Sequence, residues 1–181
     1  MTPPEFSRPH RLDQIGAGES EVRLAAEPEE RAALAQRFGL PAIDRLEASF
    51  TLRRDAIGVV ARGHLSAEVV QSCVVTDEPL PAPIEEDFAI RFVPEGDGEA
   101  QEEVELSEDE CDTVFYAGGA IDLGEAAAET LALALDPFPR SPNAAAALKD
   151  AGVISEEEAQ RLAEESGPFG GLAGLRDKLS K

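Results

Sequence analysis

Residues 43–75, IDRLEASFTLRRDAIGVVARGHLSAEVVQSCVV, decide the fold class. Apolar side chains return in short period-two alternations through residues 43–54 and again through residues 58–75. That spacing turns one face of a strand to a core and the other to water. Between the two runs, Asp55–Gly58 holds turn-forming residues, so the stretch reads as antiparallel β structure closed by a hairpin.

Working outward, residues 20–25 (SEVRLA) alternate in the same way, as a half-buried strand does. Pro28 then opens a helix, PEERAALAQRF. Glu29 and Glu30 in its first turn suit the helix dipole, Leu34 and Phe38 recur four apart, and Gly39 offers a stop. On the other side of the hairpin, IEEDFAIRFVP (84–94) places Ile84, Phe88, Ile90 and Phe92 partly in period two and predicts a further strand. Pro79, Pro81 and Pro83 make the segment before it a poor strand, and it is expected to be a connection.

Residues 95–112, EGDGEAQEEVELSEDECD, hold ten carboxylates and no cation. Such a run resists compaction by self-repulsion and reads as an exposed loop. Beyond it Asp122 can cap a helix, IDLGEAAAETLALAL, with Glu125 returning the bond in a capping box and Ala127, Leu131 and Leu135 on one face. The prolines at 137, 139 and 142 end that helix. Asn143–Ala151 and Ser155–Glu164 form two short helices, the second with a Ser155/Glu158 capping box, and GPFGGLAGLRDKLSK closes the chain as a flexible turn. The expectation is an α+β fold: an antiparallel, barrel-like sheet with packed helices, a domain over 1–142, and a helical C-terminal tail over 143–181.

At 181 residues the chain suits one ordinary domain, and with 5% aromatics and no tryptophan its core should be modest. No run reaches the roughly 20 apolar residues that span a bilayer, and the start, MTPPEFSRPHRL, lacks the apolar region of a secretory signal, so a cytoplasmic location is expected. Net charge is −21, and residues 95–136 carry 14 acidic and no basic groups. That segment repels a phosphate backbone, which disfavours charge-driven binding of nucleic acid by the chain as a whole.

Chemistry is sparse. A nucleophilic triad would need His10 or His64 as base, and neither lies in a recognisable motif; His64 reads as a sheet-face residue. Cys73 and Cys111 lie too far apart in sequence and setting to suggest a disulfide. Thr76 stands where a zinc-type cysteine pair would need its second thiol, so Cys73 reads as a small buried hydrophobe, and Cys111 among carboxylates is a poor nucleophile. The acidic run lacks calcium-loop spacing, and no phosphate-binding GxxxxGK[ST] occurs. No cofactor, metal or small-molecule substrate is implied. Arg45, Arg53, Arg54 and Arg62 could form a local basic patch on neighbouring strands, but pairing with Asp44, Glu47, Asp55 and Glu68 is the favoured reading.

Two segments together, VVQSCVVTDEPLPAPIEEDFAIRFVP (69–94) and IDLGEAAAETLALALDPFPRSP (121–142), separated by an acidic gap, resemble the YceD family, the large ribosomal RNA subunit accumulation proteins. Many relatives carry a C-x-x-C pair in the first segment and some a later cysteine cluster. Thr76 replaces the second cysteine here and nothing follows Pro139 to match the cluster, so a metal site does not carry over. The resemblance implies a non-catalytic role in accumulation of 23S ribosomal RNA and in ribosome assembly.

Candidate partner-binding residues are Gln71, Cys73 and Thr76 in the first segment, and Asp122, Glu129, Asp136, Pro137, Phe138 and Arg140 in the second. The proline-braced DPFPR turn would present an aromatic ring and a cation; the alternative is a helix stop with Phe138 in the core. The preferred mechanism is that the carboxylates hold a basic ribosomal protein, or a pre-ribosomal particle, until RNA replaces them. The alternatives are direct binding of ribosomal RNA by Arg45, Arg53, Arg54 and Arg62, and a hydrolase dependent on Cys73.

Overall fold

The computed structural model describes residues 4–95, 112–154 and 156–166, except for the side chains of 163–166. The acidic run 96–111, Ser155 with its capping box, and the closing GPFGGLAGLRDKLSK lie outside the described residues. The chain divides into two compact units, Met1–Ser72 with Pro79–Pro139, and Cys73–Glu78 with Arg140–Lys181.

In the first unit the elements run β1 (Pro9–Arg11), β2 (Ser20–Ala25), α1 (Pro28–Phe38), β3 (Ala42–Arg54), β4 (Val59–Ser72), β5 (Pro79–Pro94), β6 (Thr113–Tyr116), β7 (Ala120–Asp122) and α2 (Leu123–Ala134). Five strands form one sheet in the order β2-β3-β4-β5-β6, antiparallel except for the β5–β6 pair. β1 and β7 form a separate two-stranded ribbon. The fold is α+β. The sheet stays open, with β2 and β6 as its edges, so the barrel-like closure expected from sequence does not occur.

The β3–β4 hairpin pairs continuously from Arg54↔Val59 to Ser49↔His64 and beyond, with Asp55–Gly58 as its turn. Leu46, Ala48, Phe50 and Leu52 face the core from β3, and Val59, Ala61, Leu65, Ala67 and Val69 from β4. Ile43 is also buried although it lies three positions, an odd number, before Leu46; a register shift between Ile43 and Arg45 inserts the extra residue that brings both inward. α1 packs on β3, and α2 on β4 and β5. The helices thus cover one face of the sheet and leave the other polar and wet.

One expectation fails instructively. β5 begins at Pro79 and pairs with β4 through Pro79↔Ser72, Pro81↔Val70 and Pro83↔Glu68. The three prolines recur every second residue, so their missing N–H groups all face one side. On that side, among the described residues, β5 has no paired strand until β6 joins at Arg91, and no ladder bond is lost.

Two glycines admit close approaches. A Cβ on Gly63 would stand 2.2 Å from the Ser49 carbonyl and 2.5 Å from the Phe88 ring, which packs edge-on against Phe50 at 5.1 Å. A Cβ on Gly124 would meet the Phe6 carbonyl at 2.4 Å, where the N-terminal segment crosses the start of α2. In the second unit α3 (Ala144–Asp150) and α4 (Glu156–Ser166) follow the Cys73–Glu78 turn in the chain.

Candidate functional site

The wet face of the sheet carries most of the charged candidates. Across the strands, Arg23, Ser49, His64 and Asp87 share one row; Glu21, Thr51, Arg62 and Ala89 form the next. His64 is held between two carboxylates, Nδ1 at 2.7 Å from Asp87 and Nε2 at 2.8 Å from Glu85. The bonds to Asp87 and then Glu85 raise the pKa of the imidazole above its usual range. The Ser66 hydroxyl donates to the other oxygen of Glu85.

The four arginines do not act together. Arg45 lies at the far end of this face and is shared between Glu68 at 3.3 Å and Glu47 at 3.4 Å. Arg54 is tied to the Leu12 carbonyl at 3.1 Å. Arg53 and Arg62 are exposed diagonal neighbours across β3 and β4, and among the described residues neither has an ion pair. Asp55 pairs with Arg91 at 2.9 Å instead of with a neighbouring arginine.

At the C-terminal end of α2, the Gln71 amide, itself buried, donates to the Asp136 carbonyl at 2.8 Å and fixes the start of the DPFPR turn. The Asp136 carboxylate accepts from the Phe138 N–H at 2.9 Å. Phe138 is 69% exposed, so it is not the core residue of the alternative reading, and Leu133 is 79% exposed. Glu129 is exposed one helical turn before Leu133, and Pro137 is exposed as well. Asp122 serves the fold. Its Oδ1 accepts from the N–H groups of Arg8, Gly124 and Glu125, and its Oδ2 from the Ser7 hydroxyl. Glu125 does not return a capping bond; it grips Arg37 at 2.7 and 3.0 Å.

The second unit holds Cys73, Thr76 and the exposed Arg140. The Cys73 sulfur is buried and accepts N–H bonds from Ser141 at 3.2 Å, Thr76 at 3.4 Å and Val75 at 3.5 Å. Burial pushes the thiol up, but the Thr76 hydroxyl and these three N–H groups outweigh it and bring the pKa down to about 6. Cys73 is buried as expected, and its sulfur is also the acceptor that ties the turn to Ser141. The Thr76 hydroxyl oxygen lies 2.9 Å from Glu78, and the Asn143 amide donates to Glu78 at 3.1 Å. Sequence offered no signal for Ser141, 68 residues from Cys73. Among the described residues no group of histidine, cysteine and carboxylates is placed to hold a metal ion.

A family model described as "Large ribosomal RNA subunit accumulation protein YceD" matches residues 61–176, well over half of the chain. The chain belongs to the YceD family. That membership ties it to accumulation of the large ribosomal RNA, and the family description names no reaction. The match runs from β4 through α4 and so spans parts of both units of this YceD-family protein. No curated protein and no solved structure matched the chain. No helix among the described residues is long and apolar enough to cross a membrane.

Proposed function

We propose that this protein is a non-catalytic factor for 23S ribosomal RNA accumulation that holds a basic ribosomal protein, alone or in a pre-ribosomal particle, through carboxylates that RNA later displaces. One observation supports the reading: residues 95–136 hold 14 carboxylates and no cation, and among the described residues most arginines pair outside that segment. Arg8, Arg11, Arg23 and Arg45 pair with carboxylates outside that segment, and Arg37 divides itself between Glu5 and Glu125. A partner dense in lysine and arginine supplies the missing charge, with complementarity that speeds encounter and suppresses wrong partners.

The exposed Leu133 and Phe138, flanked by Glu129 and Asp136, give such a partner an apolar anchor beside negative charge. Asp136 and Pro137 set the angle at which Phe138 is presented, and Gln71 holds that angle from β4.

The test is a tagged capture with and without ribonuclease, comparing the wild type with a version whose 95–112 carboxylates are replaced by their amides. Recovery of basic large-subunit proteins should survive ribonuclease and vanish on neutralisation. Recovery that needs RNA and ignores the acidic segment would overturn the shielding mechanism.

A further inference from the structure

The wet face of the sheet contains a hollow of about 330 Å³ whose lining includes Arg23, Ser49, Thr51, Arg62, Gly63 and His64. On this face the β3 residues between β2 and β4, Ser49 and Thr51, are short, and Gly63 lines the hollow with backbone only, its side-chain position lying opposite Phe50 on the core face. Two carboxylates also line it, and both are engaged. Asp87 is bonded to the His64 ring at 2.7 Å, and Glu21 lies 4.0 Å from Arg23. Arg62 at the hollow and Arg53, its diagonal neighbour on β3, have no ion pair among the described residues. Their positions, Arg62 opposite Thr51 and Arg53 opposite Val60, make them cross-strand diagonals about 7–8 Å apart. In a chain of net charge −21 this is a local cationic spot with hydroxyl donors beside it.

We propose that this hollow binds the phosphodiester backbone of single-stranded RNA, with Arg53 and Arg62 each meeting a phosphate and Ser49 and Thr51 donating hydroxyl hydrogen bonds. Arg53 and Arg62 stand on the neighbouring strands β3 and β4, about 7–8 Å apart on the diagonal, and do not converge on one point. That layout suits a chain of repeated charges better than a single ion. The acidic end of the same face, with Glu47, Glu68 and Glu85, limits the footprint to a few phosphates. The site does not depend on the carboxylate-shielding mechanism; together the two would let one molecule hold a basic protein and touch the RNA that receives it.

The experiment is a titration of the ¹⁵N-labelled full chain with a uridine hexanucleotide, read by amide shifts. In 50 mM salt, shifts should concentrate at residues 51–53 and 62–64. Two phosphate contacts predict about a 7-fold weaker affinity at 200 mM, from a slope of about −0.7 per phosphate for single strands. Arg53→Gln with Arg62→Gln should abolish the shifts while leaving the thermal midpoint unchanged, and Arg45→Gln, at the paired far end, should leave them intact. Absence of shifts in the wild type at 50 mM, or their persistence in the double variant, overturns the site. Equal shifts from inorganic phosphate or a hexaglutamate peptide at the same concentration overturn the assignment to an RNA backbone.

Discussion

Asp122 holds three pieces of chain together with one carboxylate. It satisfies the first free N–H groups of α2 at Gly124 and Glu125, and it also accepts from the backbone of Arg8 and the hydroxyl of Ser7. Loss of a helix cap costs about 1 kcal/mol, and the stranded N–H of Arg8 adds a similar amount. Asp122→Ala should therefore destabilise the first unit by about 2–3 kcal/mol in denaturant melts, and a change below 0.5 kcal/mol would contradict the role. The sequence pointed to the cap but not to the N-terminal segment that shares it, because contacts 114 residues apart leave no local signal. His64 is the other residue whose setting decides its chemistry. Its raised pKa depends first on Asp87, so Asp87→Asn should bring the imidazole back toward its ordinary range in an NMR titration. A group whose folded pKa is raised contributes stability at low pH and loses it as pH rises through the folded value. The gain from the His64 clasp is thus complete below pH 6.5 and fades above it.

At the scale of elements, what was legible followed from local rules. The alternation in residues 20–25 and 43–75, the Pro28 start and Gly39 stop of α1, and the Asp122 cap all placed their elements. What was not legible depended on neighbours. Prolines at 79, 81 and 83 break a strand only if their N–H groups are needed, and whether they are needed is set by where β6 ends. The basic patch failed to assemble as a quartet for a similar reason. The sequence spacing of Arg45, Arg53, Arg54 and Arg62 gives neither the reach of Glu68 to Arg45 nor the turn of Arg54 toward Leu12.

The Cys73–Glu78 turn makes a prediction of its own. With the thiol at about 6 in the folded unit against 9.0 unperturbed, the unfolded state binds the proton more tightly. The second unit should gain stability as pH rises between those values and lose it as pH falls through about 6. The protection factors of the Ser141 and Thr76 amides, which are exchange rates corrected for intrinsic base catalysis, should rise over that range in the wild type. They should be flat with pH in Cys73→Ala, where the acceptor is gone. Protection that is independent of pH in the wild type would mean that no thiolate forms.

The whole molecule is an unbalanced charge distribution carried on a well-packed sheet. In the first unit the core is closed by helices on one face, and a net charge of −21 repels itself wherever its carboxylates lie near one another. Like charges that repel within reach of one another load the folded state, and salt screens them over about 10 Å at 0.1 M. The exposed ion pairs that salt also weakens are individually worth little. Screening should therefore stabilise on balance, by about 1 kcal/mol, or roughly 3 °C in Tm for a chain of this size, between 20 and 500 mM sodium chloride. Replacing the ten carboxylates of 95–112 by amides takes the net charge from −21 to −11 and should remove most of that dependence. If both proteins melt alike at all salt concentrations, the acidic segment does not strain the fold. A basic partner would then find its carboxylates already relaxed, with no stability to be gained on binding beyond the contacts themselves.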